Sequence, residues 1–215
     1  MIDPIWQTAL AYLIGTIMGG QIVGRLRGGV DLRTQGSGNL GATNALRTQG
    51  ARFALAVLAI DVAKGIVACL IIPALPTLGE PLLDRSQQAY LCGVAVAVGH
   101  CYPVTAGFRG GKGVATLAGV FGALMPAALP WMLGGFVLVV LLTGYVSLAT
   151  LMAALIALLH VTCFGDAGLF SDAGTFTLAM SALVAWKHRD NLQRLLSGTE
   201  HRFEKAMVLR RWRSR

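Results

Sequence analysis

Glycines, small polar residues and one arginine are concentrated in the sequence QGSGNLGATNALR, residues 35 to 47. Gly36, Gly38 and Gly41 match the spacing of a dinucleotide-binding loop, and Asp61 follows at the spacing expected of a ribose-binding acid. That fingerprint needs a βαβ unit, whereas apolar stretches flank this loop and Asp61 lies inside one of them. The sequence therefore predicts a turn whose amides, with those of an arriving helix, bind an anion and not a dinucleotide.

The side chains of this first loop suit a phosphate group. Ser37, Asn39, Thr43 and Asn44 supply neutral hydrogen-bonding groups. Arg47, one turn into the expected helix, supplies a guanidinium that can grip phosphate with two hydrogen bonds. The alternative is a flexible cytoplasmic loop whose arginine serves only membrane topology.

A second glycine-rich loop, GFRGGKGVAT at residues 107 to 116, resembles a Walker A phosphate loop but departs from it twice. Ala106 stands in place of the first glycine, and Gly113 in place of the magnesium-binding Ser or Thr, so ATP hydrolysis is not indicated. The anion-binding groups that remain are Arg109, Gly110, Gly111, Lys112 and Gly113. Backbone amides, a helix N-terminus and two cations would together favour a strongly anionic group.

A third polar cluster, KHRDNLQRLLSGTE, runs from Lys187 to Glu200. His188, Asn191 and Arg194 are three residues apart, so on one helix they would share a face. His188 taken alone is typical of an interfacial histidine as well as of a catalyst. Glu200 could orient a cation, but a solvated charge is the simpler expectation.

The elements that must position these clusters are membrane helices. The chain of 215 residues is 55% hydrophobic and 13% charged, with a mean hydropathy of +0.64, which excludes an ordinary soluble domain. Hydropathy predicts seven spans, at about 5–24, 53–75, 86–103, 113–129, 131–144, 147–164 and 174–187. Pro126 and Pro130 interrupt the short fourth and fifth spans, so one bent unit is an alternative there. We predict an all-α, polytopic membrane bundle that forms a single domain over residues 1–215.

Lysines and arginines set the predicted orientation. They are concentrated after the first, third and last spans, and Arg85 is the one exception. The N-terminus is therefore predicted outside and the C-terminus in the cytoplasm, with all three polar clusters on the cytoplasmic side. The net charge of +8 reflects this topology and anionic lipid, so no nucleic-acid partner is expected. The basic arm at 192–215 is predicted either to lie along the cytoplasmic leaflet or to be a disordered tail.

Polar residues within the spans are expected to be structural. Asp61 and Lys64, three residues apart in the second span, are predicted to form an intramembrane ion pair that supports the site. His100, followed by Pro103, is expected to cap the third span and hold the second loop. The four cysteines form no C-x-x-C pair and are expected to pack as apolar residues. Neither a metal nor a cofactor is expected.

Three blocks of this sequence resemble the PlsY family of bacterial membrane glycerol-3-phosphate acyltransferases, which use acyl phosphate. They are GSGNLGATN at 36–44, GHCYPVTAGFRGGKGVAT at 99–116 and HRDNLQRLLSGTE at 188–200. The resemblance implies a seven-helix protein of the bacterial inner membrane with its active site facing the cytoplasm. It implies acyl transfer from acyl phosphate to the 1-hydroxyl of sn-glycerol 3-phosphate, giving lysophosphatidic acid and phosphate, the first step of phospholipid synthesis. It also implies a functional link to a phosphate acyltransferase.

Residue chemistry and this resemblance together indicate which side chains carry the reaction. The expected catalytic residues are Ser37, Arg47, Lys112, His188 and Asn191. The expected substrate-binding residues are Gly38, Asn39, Gly41, Thr43, Asn44, Arg109, Gly110, Gly111, Gly113 and Ser147. The second loop should hold acyl phosphate, while the first loop and the third cluster should hold glycerol 3-phosphate. Either His188 or a substrate phosphate oxygen would accept the hydroxyl proton.

Two other functions compete with this interpretation. An acyltransferase that uses acyl-CoA or acyl carrier protein would typically carry a His-x-x-x-x-Asp pair, and the sequence contains none. An anion or phosphate transporter would be expected to show broken helices and repeat symmetry around a midplane site, whereas the anion-binding residues here are predicted at one face.

Overall fold

The computed structural model describes residues 3–77, 79–204 and 207. Within these residues every regular element is a helix. A helix satisfies its backbone groups within its own segment, which is what apolar stretches of this length require in lipid. The all-α fold class predicted from the sequence is therefore confirmed. The chain divides into two compact units, the first ending at Met125 and the second beginning at Pro126, and the single domain stays a prediction.

The described residues of the first unit form six α-helices. They are α1 (Asp3–Gly15), α2 (Gly19–Leu26), α3 (Ala42–Gln49), α4 (Ala51–Leu70), α5 (Arg85–Cys101) and α6 (Val114–Leu124). Helix α1 packs against α5, and α4 packs against α6. Gly65 of α4 and Gly119 of α6 lie at the second contact, where a Cβ on either residue would overlap a backbone carbonyl oxygen of the facing helix. Small residues thus set the close packing of this unit, as is usual between membrane helices.

The first predicted span, 5–24, is not one continuous helix. Helices α1 and α2 are separated by a short break and bent by 44°. Lys64 of α4 reaches this break, where its Nζ donates to Gly15 O at 3.1 Å and to Ile17 O at 2.7 Å. An ammonium group from another helix therefore satisfies carbonyls that a straight helix would have satisfied itself, so the bend leaves them paired.

The predicted ion pair between Asp61 and Lys64 is confirmed. Lys64 Nζ lies 3.0 Å from Asp61 Oδ1, and the two side chains are 4% and 1% exposed. Asp61 Oδ1 also accepts a hydrogen bond from Gly19 N, at 3.2 Å. The pair thus binds both sides of the α1–α2 break, which makes it part of the scaffold.

In the second unit, the part of the chain that the structure describes forms four α-helices. They are α7 (Leu129–Thr143), α8 (Val146–Phe164), α9 (Asp172–Lys187) and α10 (Arg189–Leu196). Helix α8 packs against both α7 and α9. The α7–α8 connection turns at Gly144, which has a left-handed φ of 75°. Pro130 lies in the first turn of α7, where its missing N–H costs nothing.

Among the described residues, three helical stretches are long and apolar enough to cross a membrane by themselves. They are Ala51–Ala74, Arg85–Ala106 and Val146–Phe164. Helices α1 and α2 taken together would make a fourth span, and Val114–Leu124 and Leu129–Thr143 are apolar but shorter. The count of seven spans and their orientation stay predictions.

The C-terminal arm is described only in part. After α10, Phe203 N donates to Gly144 O at 2.8 Å, and the Arg202 guanidinium lies 4.8 Å from the centre of the Tyr145 ring. The start of the arm therefore contacts the α7–α8 turn. Residues 205–206 and 208–215, for which the sequence predicts contact with the leaflet or a disordered tail, lie outside the described residues.

Candidate active site

The two glycine-rich loops, both in the first unit, line a cavity of about 610 Å³. Gly38 and Leu40 of the first loop, with Arg33 just before it, form one wall of the cavity, which we call the first wall. Gly107, Arg109 and Gly110 of the second loop, with Ala106 just before it, form the second wall. Of the predicted site residues, the structure thus brings Gly38 together with Arg109 and Gly110. Arg33, Leu40, Ala106 and Gly107 are lining residues that the sequence reasoning missed, because only tertiary structure shows which loop residues face each other.

The first loop is shaped by the side chain of Asn44, which is 2% exposed. Its Nδ2 donates to Leu32 O at 3.2 Å, to Gln35 O at 3.0 Å and to Asn39 O at 2.9 Å. Its Oδ1 accepts from Ser37 N at 3.0 Å. Both ends of the amide are therefore used within the protein, which gives Asn44 a role in holding the loop, and its direct contact with substrate stays a prediction.

Glycine is required at Gly36 for two reasons. Its φ is 56°, in the left-handed region that glycine adopts at little cost. A Cβ there would also overlap the Oδ1 of Asn44. Two further predicted residues take part in the same turn, since Asn39 Oδ1 accepts a hydrogen bond from Gly41 N at 3.2 Å. The glycine pattern of this loop therefore serves the fold of the loop before it serves any ligand.

Helix α3 follows the first loop and carries Thr43 and Arg47. It begins at Ala42, after Gly41 as its N-terminal capping residue. Thr43 is half-buried, and Arg47 is half-buried in the last turn. Ser37 is exposed.

The second loop is held by His100, in the last turn of α5. Gly111 N donates to His100 O at 3.1 Å, and a Cβ on Gly111 would overlap the ring Nε2 of His100. A Cβ on Gly110 would overlap His100 O. The Gly111 N–H is therefore used within the protein, and anion binding by this amide stays a prediction. Lys112 is half-buried next to it, and Gly113 is the N-cap of α6 with a left-handed φ of 78°.

His100 is buried at 2% exposure and contacts the ion pair beneath the loop. Its Nδ1 lies 2.8 Å from Lys64 Nζ and 3.1 Å from Thr116 Oγ1. An ammonium group can only donate, so Nδ1 is the acceptor and the neutral ring carries its proton on Nε2. The prediction that His100 holds the second loop is confirmed.

Charge in the cavity comes from both walls. On the first wall, Arg33 Nη2 and Nε bind Asp31 Oδ2 and Oδ1, at 2.8 Å and 3.0 Å. These hydrogen bonds keep the pKa of Asp31 below its ordinary value, so the acid stays ionised. The partner fixes the Arg33 guanidinium, while Arg109 on the second wall is exposed. Two guanidinium groups thus line a cavity with glycine-rich walls, which favours an anionic ligand.

The third cluster, in the second unit, is centred on Glu200. Its Oε1 accepts from Asn191 Nδ2 at 2.7 Å and from Ser147 Oγ at 3.0 Å, and its Oε2 accepts from Arg194 Nε at 2.8 Å. The Glu200 side chain is 5% exposed. The expectation of a solvated charge is therefore wrong, and Glu200 is the residue that brings Ser147 and Asn191 together.

The charge state of Glu200 follows from these contacts. Burial raises the pKa of the carboxyl, but the hydrogen bonds from Asn191, Arg194 and Ser147 outweigh it and leave the pKa below its ordinary value. Glu200 is thus a carboxylate at neutral pH. The contact with Ser147 has no local signal in the sequence, because Ser147 lies 53 residues away.

His188 lies where α9 ends and α10 begins, and it is 3% exposed. Its Nδ1 is 2.8 Å from Val184 O. A carbonyl oxygen only accepts, so Nδ1 carries the proton and Nε2 is the acceptor of the neutral ring. This is the tautomer that a general base needs. His188 has φ −106° and ψ 9° and separates α9 from α10. The third cluster is therefore not part of one continuous helix, although the spacing of His188, Asn191 and Arg194 would suit one.

The part of the chain that the structure describes contains no candidate metal-binding site. Among those residues, no group of three or more His, Cys, Asp or Glu side chains is placed to hold a metal ion.

Comparison with known proteins identifies the family. A family model described as glycerol-3-phosphate acyltransferase matches residues 5–198. Relatives named glycerol-3-phosphate acyltransferase include one from Chlorobium phaeobacteroides, which is 36% identical in an alignment that covers 95% of this chain and 98% of that protein. Another, from Aquifex aeolicus, is 39% identical over 193 residues that cover 90% of this chain and 95% of that protein.

Solved structures agree with the sequence relatives. A crystal structure of PlsY (YgiH), described as an integral membrane glycerol 3-phosphate acyltransferase in its glycerol 3-phosphate form, matches with a TM-score of 0.81 at 35% identity. The match covers 93% of this chain and 95% of that one. The lysophosphatidic acid form of PlsY matches with a TM-score of 0.79 at 32% identity, over 93% of this chain and 94% of that one. The chain therefore belongs to the PlsY family of integral membrane glycerol-3-phosphate acyltransferases.

Proposed function

We propose that this acyltransferase takes its acyl group from acyl phosphate and transfers it to the 1-hydroxyl of sn-glycerol 3-phosphate. The products are lysophosphatidic acid and inorganic phosphate. The observation that carries the proposal is the cavity between the two glycine-rich loops, lined by Arg33 and Arg109. Both substrates present a phosphate, and guanidinium groups beside closely packed backbone suit that group.

The donor is the finer part of the proposal. An acyl phosphate is already activated, so the protein has only to align the hydroxyl with the carbonyl carbon, stabilise the oxyanion and neutralise the leaving phosphate. The chain offers fixed cations and hydrogen-bond donors for these tasks. It lacks the His-x-x-x-x-Asp pair that is typical of acyltransferases using acyl-CoA or acyl carrier protein.

The reaction balances without a cofactor. The hydroxyl oxygen of glycerol 3-phosphate attacks the carbonyl carbon, and the bond between that carbon and the phosphate oxygen breaks. The hydroxyl proton passes to Nε2 of His188, the acceptor in the tautomer fixed by Val184 O, or to an oxygen of the departing phosphate.

The proposed residue roles combine the chemistry of the side chains with the resemblance to the family. Lys112, Arg109 and the amides of Gly110 and Gly113 bind and neutralise the phosphate of the donor. Ser37 and Arg47 bind glycerol 3-phosphate, and Asn44 holds the loop that presents Ser37 through the Ser37 N hydrogen bond.

The third cluster supplies the other polar groups of the reaction. Asn191 and Ser147, both fixed by Glu200, bind glycerol 3-phosphate together with His188. Gly38, Gly41, Asn39 and Thr43 support this binding as parts of the first loop and the start of α3. The reaction takes place at the cytoplasmic face of the bacterial inner membrane, where acyl phosphate from a phosphate acyltransferase would arrive.

A phosphate transporter is the alternative, and one observation favours it. The α1–α2 break has buried charges beside it, as discontinuous transporter helices often have. However, the carbonyls of Gly15 and Ile17 at this break are already bound by Lys64. They are therefore engaged by a side chain and not offered to a transported ion.

The test is to supply the purified protein, in detergent, with labelled glycerol 3-phosphate and one of three donors in parallel: palmitoyl phosphate, palmitoyl-CoA or palmitoyl acyl carrier protein. We expect lysophosphatidic acid with palmitoyl phosphate alone. Product with a thioester donor, and none with palmitoyl phosphate, would overturn the proposed donor. Net phosphate flux into sealed vesicles without any product would favour the transporter.

A further inference from the structure

The ion pair of Asp61 and Lys64 lies beneath both walls of the cavity and contacts the supports of each. We propose that Lys64 is a positioning residue for the acyl-transfer reaction, which sets the separation of the two glycine-rich loops from within the membrane-spanning part of the fold. This inference rests on the proposed function only in taking the cavity as the substrate site. The contacts that carry it are described wall by wall below.

The link to the second wall runs through His100. Lys64 Nζ donates to His100 Nδ1 at 2.8 Å, which leaves the ring proton on Nε2. That Nε2 lies directly against Gly111, and the His100 carbonyl accepts the Gly111 N–H at 3.1 Å. Gly110, the preceding residue, lines the cavity. Orientation of the His100 ring by Lys64 therefore fixes the path of the second loop.

The link to the first wall runs through α2. Lys64 binds the carbonyls of Gly15 and Ile17, and Asp61 accepts from Gly19 N at 3.2 Å, so the start of α2 is held at a fixed angle. The next residue, Gly20, packs so closely on the first loop that a Cβ there would overlap Leu40 O. Leu40 lines the cavity.

The cost of the arrangement indicates that it does more than stabilise the fold. Asp61 and Lys64 are 1% and 5% exposed, and taking both charges out of water is costly even when they pair. Apolar residues of similar size at such positions are often as stable or more stable. What apolar residues cannot supply is the set of directed bonds from one Nζ to His100 and to the α1–α2 break.

The first variant to test is the double substitution Asp61→Asn/Lys64→Met. It removes both buried charges together and keeps an acceptor for Gly19 N, but loses every bond from Nζ. We expect the variant to fold in detergent but to melt at a lower temperature than the wild type, because the carbonyls of Gly15 and Ile17 lose their donor. We expect kcat/KM for glycerol 3-phosphate to fall on the order of 10²-fold, through a higher KM. A merely structural role would instead reduce the amount of folded enzyme and leave KM unchanged.

Gln88→Met is the matched control. Gln88 is also a buried polar side chain of the first unit, 5% exposed, and donates to Thr8 Oγ1 at 3.3 Å without contacting either loop. Its KM should equal that of the wild type. If the double variant does not fold, Thr116→Val against Thr116→Ser tests the same link, because only serine keeps the hydroxyl that lies 3.1 Å from His100 Nδ1.

A second readout does not depend on activity. Spin labels at the exposed positions Thr34 and Val104, in a Cys163→Ser background, report the separation of the two walls. We expect a narrow distance distribution in the wild type and a broader or shifted one in the double variant. An unchanged distribution with an unchanged KM would overturn the inference. A broadened distribution in a protein whose wild type transfers no acyl group would support the role of Lys64 in setting the separation of the two loops, while refuting the proposed function and with it a role in acyl transfer.

Discussion

Asn191 Nδ2 donates to Glu200 Oε1 at 2.7 Å, and this contact fixes the amide of a residue expected to bind substrate. The same oxygen of Glu200 accepts from Ser147 Oγ at 3.0 Å. One buried carboxylate therefore orients two site residues from different helices. Its removal should disturb both side chains at once.

Glu200→Gln is predicted to reduce both activity and stability. The amide is the same size, but only one of its two ends can accept, so one of the three donors would lose its partner. We expect a loss of about 1–3 kcal/mol in the free energy of unfolding and a higher KM for glycerol 3-phosphate. Asp190→Asn, a neighbouring exposed acid, is the control and should change neither quantity. Wild-type stability and KM in Glu200→Gln would contradict the role of Glu200.

The pH dependence of the Glu200 contribution has a definite sign. Burial raises the pKa of this carboxyl, but three hydrogen bonds lower it further, so its folded-state pKa is below the ordinary value. A carboxyl of this kind adds stability above its unfolded pKa, and that stability is lost as the pH falls through the folded pKa. The difference in unfolding free energy between wild type and Glu200→Gln should therefore be full at neutral pH and shrink below about pH 4. Thermal unfolding of both proteins across this range checks it, and a difference that grows on acidification would contradict the assignment.

Asn44→Asp is predicted to be as damaging as Asn44→Ala. Aspartate keeps an acceptor for Ser37 N but places a second oxygen against the carbonyls of Leu32, Gln35 and Asn39, where the amide donated. Both variants should lose activity and unfold at a lower temperature. A buried polar group left unpaired should lower the free energy of unfolding by about 1–3 kcal/mol. Asn44→Asp with wild-type melting and only weakened substrate binding would instead indicate direct substrate contact.

Gly111→Ala is predicted to lower kcat/KM on the order of 10²-fold, because the new Cβ would overlap His100 Nε2 and displace the loop beside Lys112. Gly134→Ala is the matched control, since a Cβ at Gly134 in α7 has no atom within 4 Å. There, alanine should leave activity unchanged and stabilise the helix by about 0.5–1 kcal/mol. Kinetics and melting of both variants test the prediction, and equal activity in the two would contradict it.

His188→Asn separates positioning from proton transfer. The asparagine Nδ2 can replace Nδ1 as the donor to Val184 O, so the variant should fold with nearly the melting temperature of the wild type. It has no group at the position of Nε2, so kcat should fall about 10²–10⁴-fold if Nε2 accepts the hydroxyl proton. A kcat near the wild-type value in a folded variant would assign the proton to a substrate phosphate oxygen.

The helices were predictable from the sequence because membrane spans need long apolar stretches, and hydropathy measures these directly. The sixth predicted span, 147–164, corresponds to α8, Val146–Phe164. The α1–α2 break was not predictable in the same way. It depends on Lys64, a residue of another helix 47 positions after Ile17, which satisfies the carbonyls at the break.

The candidate site was predictable in its composition but not in its internal contacts. Glycine patterns located both loops, because tight turns require glycine wherever they occur. The sequence did not show which polar groups face a ligand. The Asn44 amide and the Gly111 N–H looked available in the sequence, yet both are bound within the protein. Glu200 looked solvated because its partner Ser147 is distant in sequence.

The central claim is that an acyl phosphate is the donor and glycerol 3-phosphate the acceptor in one coupled transfer. The most direct test incubates the purified protein with palmitoyl phosphate and glycerol 3-phosphate and measures lysophosphatidic acid and inorganic phosphate in the same sample. We predict that the two products form in equal amounts and that phosphate release stops when glycerol 3-phosphate is omitted. Phosphate release without lysophosphatidic acid, or lysophosphatidic acid formed only when a thioester replaces palmitoyl phosphate, would contradict the account.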